Sequence, residues 1–246
     1  MAKKMLVTKG KEYFPAQEYL IRDASKDFHT KYGFIKAEQL KKKQGKVLTS
    51  TDKEYFIFEP GFIDLYRKIR RMPQMIPLKD IGVIIAYTGI SKKSVVVDAG
   101  SGSGGIACFL ANIVKEVFTY EIDENNFELV KENVKALGLK NVKAKKDDIY
   151  EGIEEKNVDL IVLDLAEPWK VLESASKALK TGGWLVYYSL TIPQAQQFVK
   201  EIEKNDRFMI TRIIETSERE WRMEKSVRPE KTVIPSGFLC FIRKIK

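Results

Sequence analysis

One stretch decides the fold of this 246-residue chain: Val95-Val96-Val97-Asp98-Ala99-Gly100-Ser101-Gly102-Ser103-Gly104-Gly105. The β-branched run 95–99 is typical of a buried parallel strand, and it leads directly into a glycine-rich turn. A strand, such a turn and then a helix from about Gly104 let a ligand approach the backbone at the carboxyl end of a sheet. The spacing is G-x-G-x-G with an acid two residues before the first glycine, which departs from the G-x-G-x-x-G spacing of dinucleotide-binding proteins.

Strand-like and helix-like segments alternate around this stretch. The pattern predicts strands at 117–121, 141–145, 158–164 and 184–189, and helices at 79–89, 124–137, 168–180 and from Pro193. The last two strands, 208–215 and 237–244, are joined by a segment without a helical pattern, so we expect them to pair antiparallel. The alternation predicts an α/β fold: a doubly wound, Rossmann-like sheet with right-handed crossovers and an antiparallel last strand.

The first part of the chain differs in pattern and charge. Short apolar stretches broken by turn residues predict a small β-rich domain over residues 1–66, with a basic linker helix at 62–71 and the α/β domain over 67–246. Residues 1–71 carry 17 basic and 9 acidic side chains, so they hold almost all of the formal net charge of +9. This asymmetry favours binding of a polyanion such as nucleic acid. The alternative, a charged surface of the thermostable type, would raise both signs together.

Several classes of protein are disfavoured. No stretch approaches the roughly 18 apolar residues that span a bilayer, and the first residues lack the apolar core of a signal peptide, so we expect a cytoplasmic protein without a membrane partner. Cys108 and Cys240 lie inside apolar runs and are predicted to be buried thiols. No His/Cys/Asp cluster has metal-ligand spacing, so no metal is predicted.

Acidic residues follow three of the predicted strands. Glu121 closes the second strand, 23 residues after Asp98, where a carboxylate can bind both hydroxyls of a ribose. Nicotinamide-dependent enzymes have an acidic residue at a similar place, so Glu121 alone does not indicate which nucleoside cofactor binds. Asp148 follows the third strand and is a candidate for binding the same ligand. The alternative role for Asp147-Asp148 is a helix N-cap. Asp164 ends the fourth strand and should point into the ligand crevice beside the topological switch point.

Asp164 begins the run Asp164-Leu165-Ala166-Glu167-Pro168-Trp169, and this run carries a family resemblance. The glycine turn resembles motif I of S-adenosylmethionine-dependent methyltransferases, and D-L-A-E-P-W is close to D-L-P-E-P-W, a hallmark of the tRNA (adenine-N1)-methyltransferase family. Taken alone, the run also fits a Pro168 that starts a helix and a Trp169 in the core. Further matches to the same family are I-P-Q-A-Q-Q-F-V at 192–199, R-E-W at 219–221 and V-R-P-E at 227–230.

The resemblance covers roughly residues 70–246 and includes departures. Ile76 and Lys79-Asp80 stand where the family has I-I-Y-P-K-D, but Pro77 and Leu78 follow Ile76 in place of the family's tyrosine and proline. Ala166 replaces the usual proline of D-L-P-E-P-W, which relaxes that loop.

The family modifies the tRNA T-loop at adenine 58, and in archaea also at adenine 57. For this chain the resemblance implies S-adenosylmethionine as cofactor, tRNA as partner through a basic tRNA-binding module at residues 1–66, and a homotetramer. The cofactor-binding residues implied are Gln74, Met75, Asp98, Gly100, Ser101, Gly102, Ser103, Gly104, Gly105, Glu121, Asp148 and Ile149. The catalytic residue implied is Asp164, and the substrate-binding residues implied are Glu167, Pro168, Trp169, Arg219 and Arg228.

The chemistry needs few groups. N1 of adenine already has a lone pair, so positioning should dominate over base catalysis. Asp164 is expected to accept a hydrogen bond from the exocyclic amine and to stabilise the cation that develops on the ring. The only histidine, His29, lies in the basic module, which disfavours histidine general-base catalysis.

Three other functions remain alternatives. A non-catalytic tRNA-binding subunit is disfavoured by the intact D-A-G-S-G-S-G turn with Glu121, Asp148 and Asp164. A nicotinamide-dependent oxidoreductase on the same fold is disfavoured by the glycine spacing and by D-L-A-E-P-W. A methyltransferase for another RNA or for protein is closer to the predicted function and is harder to separate from sequence.

Overall fold

The computed structural model describes residues 3–9, 17–223, 227–230 and 237–246. Two compact units form, Met1–Ile69 with Glu220–Glu230, and Arg70–Arg219 with Lys231–Lys246. This division differs from the predicted 1–66 and 67–246 at residues 67–69 and in the segment 220–230. That segment contains two paired antiparallel strands.

The first unit is a small antiparallel β structure. Its elements up to residue 66 are β1 (Lys4–Val7), β2 (Glu18–Ile21), β3 (Phe28–Thr30), β4 (Gly33–Ile35), α1 (Ala37–Leu40), β5 (Gly45–Leu48), β6 (Glu54–Phe58) and α2 (Phe62–Tyr66). Four strands form an antiparallel sheet in the order β2-β1-β6-β5, and β3 pairs with β4 as a hairpin. The core of this unit is made of buried side chains from the sheet, from β4 and from α1: Leu6, Ile21, Ile35, Leu40, Val47, Tyr55 and Ile57.

The second unit carries the larger sheet. Along the rest of the chain the elements are α3 (Leu78–Thr88), β7 (Val95–Ala99), α4 (Gly105–Ala111), β8 (Glu116–Tyr120), α5 (Glu124–Leu137), β9 (Val142–Lys145), β10 (Val158–Leu163), α6 (Leu172–Ala178), β11 (Leu179–Ser189), α7 (Ile192–Glu203), β12 (Phe208–Glu215), the hairpin strands β13 (Trp221–Met223) and β14 (Val227–Pro229) of the first unit, and β15 (Phe238–Lys244). Two short 3-10 turns, Ile149–Glu151 and Pro168–Val171, lie between these elements.

The seven-stranded sheet confirms the predicted fold class. Its order is β12-β15-β11-β10-β7-β8-β9. The five strands from β11 to β9 are parallel, and β15 is antiparallel to both of its neighbours. The central strand β10 is buried on both faces: Ile161 and Leu163 belong to the core on one side, and Leu160 and Val162 to the core on the other. This two-sided burial explains why residues 160–163 of β10 form one continuous apolar run.

Two segments differ from the prediction. The helix predicted at 168–180 is wrong in extent, because a 3-10 turn precedes α6 and strand β11 already begins at Leu179. Gly182-Gly183 does not separate helix from strand but forms an irregularity inside β11: Leu179 pairs with Val158, whereas Trp184 already pairs with Leu160. The predicted linker helix at 62–71 is also shorter, since α2 ends at Tyr66.

The described ranges contain neither a membrane-spanning helix nor a cluster of metal ligands. No helix there is long and apolar enough to cross a bilayer. No group of three or more His, Cys, Asp or Glu side chains among the same residues is placed to hold a metal ion. Cys108 and Cys240 are buried, as predicted, and burial raises the pKa of each thiol to about 12.

Candidate functional site

The site lies where the order of the sheet reverses, at the carboxyl ends of β7 and β10. From β7 the chain continues to β8 on one side, and it returns through β10 on the other side. The two strand ends touch, since the Asp164 amide donates to the Ala99 carbonyl over 2.9 Å. A Cβ built on Gly100 would lie 2.1 Å from the Asp164 carbonyl oxygen. Glycine is therefore needed at position 100 for the loops to meet.

The glycine turn is a tight, left-handed structure. Gly100, Gly102 and Gly104 have φ values of 78°, 54° and 73°, a region that suits glycine. The buried Ser101 fixes the turn to the end of β8, because its hydroxyl and its amide both donate to the Tyr120 carbonyl, over 2.9 and 3.3 Å. A Cβ on Gly104 would meet Val130 of α5 at 3.1 Å. The turn thus holds α4 close to α5, while Gly102 faces open space.

Asp98 is a fully buried acid beneath this turn. Its Oδ2 accepts a hydrogen bond of 2.6 Å from the Thr119 hydroxyl, but its Oδ1 is buried without a partner among the described residues. Burial raises the pKa of Asp98 to about 7, and repulsion from Asp164 and Glu121 adds to the shift. Since unpaired buried acceptors are rare, this oxygen marks a place for a donor that a ligand would bring.

Glu121 connects the end of β8 to the turn. One carboxylate oxygen accepts from the Gly102 amide at 2.8 Å, and the other accepts from the Asp123 amide at 3.0 Å. A carboxylate oxygen has two lone pairs, so each can accept one further hydrogen bond. Glu121, the residue predicted to bind the ribose, thus also stabilises the glycine turn.

Asp148 takes the capping role that was its alternative. Its Oδ1 accepts from the Tyr150 amide at 2.9 Å and caps the 3-10 turn Ile149–Glu151. Ile149 itself is buried in the core. With Tyr120, Glu151 and other residues, Asp148 lines an open cleft of about 400 Å³.

Asp164 directly follows β10, and its backbone lies beside the glycine turn. It is half-buried, and this burial raises the pKa of its carboxyl group to about 6. The rest of its motif is packed: Pro168 is buried in the first turn of a 3-10 segment and Trp169 packs against the core. Glu167 is held by Lys170 at 2.5 Å. The structural roles named as alternatives, Pro168 at the start of a helical turn and Trp169 against the core, are therefore both observed. Contact of these residues with substrate stays a prediction.

Four predicted residues remain, Gln74, Met75, Arg219 and Arg228. Gln74 is exposed and Met75 half-buried in the segment that precedes α3. Arg219 is exposed at the end of a segment of the larger unit, whereas Arg228 is exposed on β14 of the smaller unit. Binding of cofactor by Gln74 and Met75, and of substrate by Arg219 and Arg228, stays a prediction.

A buried cluster at the start of α3 was missed. Asp80 is fully buried, and the Lys79 ammonium donates to its two carboxylate oxygens over 2.8 and 2.9 Å. The same ammonium donates to the Thr216 carbonyl and hydroxyl oxygens at 3.0 Å, and the Thr216 hydroxyl donates to Asp80. The family resemblance pointed to Lys79-Asp80, but no local pattern pointed to Thr216 at the end of β12.

We expect the substitution Thr216→Val to destabilise the larger unit. The hydroxyl bonds two charged groups, and loss of such bonds costs about 1–3 kcal/mol. Thr216→Ser keeps the hydroxyl and should restore most of that loss. Urea unfolding of both variants provides the measurement, and equal midpoints for valine and wild type would show that the hydroxyl contributes nothing.

The site has the features of a pocket for a nucleoside-type cofactor. An open glycine turn, an unpaired buried carboxylate oxygen and two carboxylates at the next strand ends fit a ligand that carries an amine and ribose hydroxyls. Within the described part of the chain, the turn is flanked by acids, which does not suit a pyrophosphate.

Comparisons with known proteins agree with this geometry. The family model described as "tRNA methyltransferase complex GCD14 subunit" matches residues 67–234. A tRNA (adenine(57)-N(1)/adenine(58)-N(1))-methyltransferase of Methanocaldococcus jannaschii is 32% identical, covering 92% of this chain and 91% of that protein. A tRNA (adenine(58)-N(1))-methyltransferase of Thermus thermophilus is 31% identical, covering 82% of each.

The solved structures give the same fold. A SAM-dependent O-methyltransferase from Thermotoga maritima superposes with a TM-score of 0.87 at 27% identity, covering 100% of this chain and 93% of that one. This superposition agrees with the family model and the relatives. Together they show that the chain belongs to the tRNA (adenine-N1)-methyltransferase family, whose matching model is described as "tRNA methyltransferase complex GCD14 subunit".

Proposed function

We propose that this chain transfers a methyl group from S-adenosylmethionine to N1 of adenine 58 in the T-loop of tRNA. The observation that carries the proposal is the contact between the backbone of Asp164, a half-buried acid, and the open glycine turn, in a chain that is 32% identical to an adenine-N1-methyltransferase. Adenine 57 is a second target in the archaeal relative, and mapping of the methylated positions decides whether it is one here.

The cofactor residues are proposed from the fit of the site. S-adenosylmethionine, when bound, supplies a methyl group on a positively charged sulfur. The unpaired Oδ1 of Asp98 would accept from the amine, and Glu121 would accept from the ribose hydroxyls. The turn Gly100–Gly105 would line the methionine part, and Asp148 with Ile149 the adenine. Gln74 and Met75 are proposed to contact the same ligand from the segment before α3.

Asp164 is proposed as the catalytic residue. The lone pair on N1 of the target adenine forms the new bond to carbon, so no residue has to remove a proton first. As this bond forms, positive charge develops on the ring, and an ionised Asp164 that accepts from the exocyclic amine would stabilise it. With a pKa of about 6, the carboxylate is mostly ionised at neutral pH. Its partial burial also limits screening of its charge by water.

Substrate binding and assembly complete the proposal. Glu167, Pro168, Trp169, Arg219 and Arg228 are proposed to contact tRNA or to support the residues that do. A homotetramer is proposed from the family resemblance alone, and light scattering of the purified protein tests this assembly. Action in the cytoplasm is proposed from the sequence pattern described above.

The decisive experiment is incubation of the purified protein with unmodified tRNA transcript and labelled S-adenosylmethionine. Nucleoside analysis and mapping of reverse-transcription stops should give 1-methyladenosine at position 58. Binding of cofactor without transfer to tRNA would overturn the substrate. A failure to bind cofactor would favour a non-catalytic subunit.

Asp98→Asn is expected to weaken cofactor binding while stabilising the free protein at high pH. Burial raises the pKa of Asp98 in the folded state from 3.8 to about 7. The protein therefore keeps its full stability below about pH 4, where Asp98 is protonated in the folded and the unfolded state, and loses part of it as the pH rises through 7. Asparagine carries no charge and removes that loss, which is on the order of a few kcal/mol. Thermal unfolding without cofactor, compared near pH 5 and pH 8, measures the difference. A variant that gains no stability over wild type on going to pH 8 would contradict the buried charge.

A further inference from the structure

The smaller unit presents an exposed tyrosine with two lysine ammonium groups near its ring. Tyr32 lies at the tip of the β3–β4 hairpin with 38% of its surface exposed. The Lys31 ammonium is 4.8 Å from the centre of its ring, and the Lys53 ammonium, from the turn between β5 and β6, is 5.2 Å from it. We call these three side chains the Tyr32 platform.

The platform is held by the backbone of both turns. The Thr51 hydroxyl donates to the Tyr32 carbonyl at 2.7 Å, and the Ser50 amide donates to the Phe34 carbonyl at 2.8 Å. Gly33 has a φ of 90°, and a Cβ there would lie 2.4 Å from the Ser50 hydroxyl oxygen. Because the two turns are joined in this way, little chain entropy would be lost when the platform binds a ligand.

The charge of the platform is not neutralised. Neither ammonium has an ion-pair or hydrogen-bond partner within the described part of the chain. Lys46, on the neighbouring strand β5, is instead paired with Glu54. Asp52, exposed and next to Lys53, is the one carboxylate in either turn. Two unpaired cations on a fixed surface attract an anion with an accessible negative charge.

We propose that the Tyr32 platform binds the sugar–phosphate backbone of RNA, and this rests on the tRNA substrate proposed above. Two ammonium groups close to an exposed aromatic ring suit a phosphate together with the ribose or base that adjoins it. Such contacts carry no sequence information and position the RNA. The platform therefore supplies affinity for tRNA without taking part in methyl transfer.

The test compares two double variants of the full chain that remove the same charge. Lys31→Ala/Lys53→Ala is expected to raise the Kd for tRNA transcript about tenfold near 0.1 M salt, and to reduce the slope of log K against log salt by about 2. Lys177→Ala/Lys204→Ala removes two ion-paired lysines of the larger unit and should change both quantities much less. The Kd for S-adenosylmethionine and kcat at saturating tRNA should match wild type in both.

A single substitution of opposite sign strengthens the test. Asp52→Asn removes the carboxylate beside Lys53, and asparagine tolerates its left-handed φ of 58°. It should lower the Kd for tRNA. Equal effects of the two double variants, or competition by polyglutamate as strong as by RNA, would overturn the proposal. If wild type binds RNA through the platform but forms no 1-methyladenosine, the proposed function fails and the platform stands. If wild type methylates tRNA and the platform variants bind it normally, only the platform fails.

Discussion

Replacing Asp164 by alanine is expected to lower kcat for tRNA methylation by about 10²-fold or more, with the Kd for S-adenosylmethionine nearly unchanged. The carboxylate follows β10 directly, and its own amide is bonded to Ala99, so its position is set by the sheet. Removing it leaves the developing ring charge without a fixed counter-charge. Fold stability should not fall at neutral pH, because a carboxyl whose pKa is raised to about 6 by burial is destabilising when ionised.

The pH profile separates charge from shape. In wild type, kcat should fall as pH decreases through about 6, because Asp164, with its pKa raised by burial, becomes protonated. Asp164→Asn keeps the size of the side chain but not the charge, so its residual kcat should be low and should lack this step. Asp206→Ala, which removes an exposed carboxylate paired with Lys246, is the matched control and should behave as wild type. Near-normal turnover of Asp164→Ala would remove this residue from the mechanism.

Local signals predicted much of the larger unit. Helix α5 occupies the predicted residues because Asp123 caps its first turn and Gly138, with a φ of 69°, ends it. The glycine turn, Glu121 and Asp164 could be predicted to lie close together, since parallel strands of a doubly wound sheet all end at one edge. These predictions needed only the pattern within each segment and the rule for its connection.

The parts that escaped prediction depend on distant residues. Thr216 donates a hydrogen bond to Asp80, which lies 136 positions away in the chain, and no sequence pattern predicts such a pair. Strands β3 and β4 have three residues each, too few for an alternating pattern to be recognised. Strand β11 begins at Leu179 because Val158 offers a partner there, although the local sequence reads as the end of a helix. In each case tertiary pairing overrides local preference.

Gly100→Ala is expected to have the largest effect on the fold of the site. A left-handed φ of 78° already costs an alanine about 1–2 kcal/mol. The added Cβ would also lie 2.1 Å from the Asp164 carbonyl oxygen, so β7 and β10 must separate at their ends. Overpacking of this kind costs about 1–3 kcal/mol more. Denaturant unfolding should therefore show a loss of about 3 kcal/mol, together with loss of cofactor binding.

Gly138→Ala is the control that separates the two causes. Its φ of 69° is similar, but nothing lies within 4 Å of the added Cβ, so only the conformational cost of about 1–2 kcal/mol should appear. The excess loss at Gly100 then measures the contact between the glycine turn and Asp164. Because that contact fixes the position of Asp164, the proposed catalytic residue, relative to the turn, any Gly100→Ala protein that still binds cofactor should have a reduced kcat. Equal stability losses at the two positions would show that the strand ends can separate freely, and that Asp164 is positioned by something other than this turn.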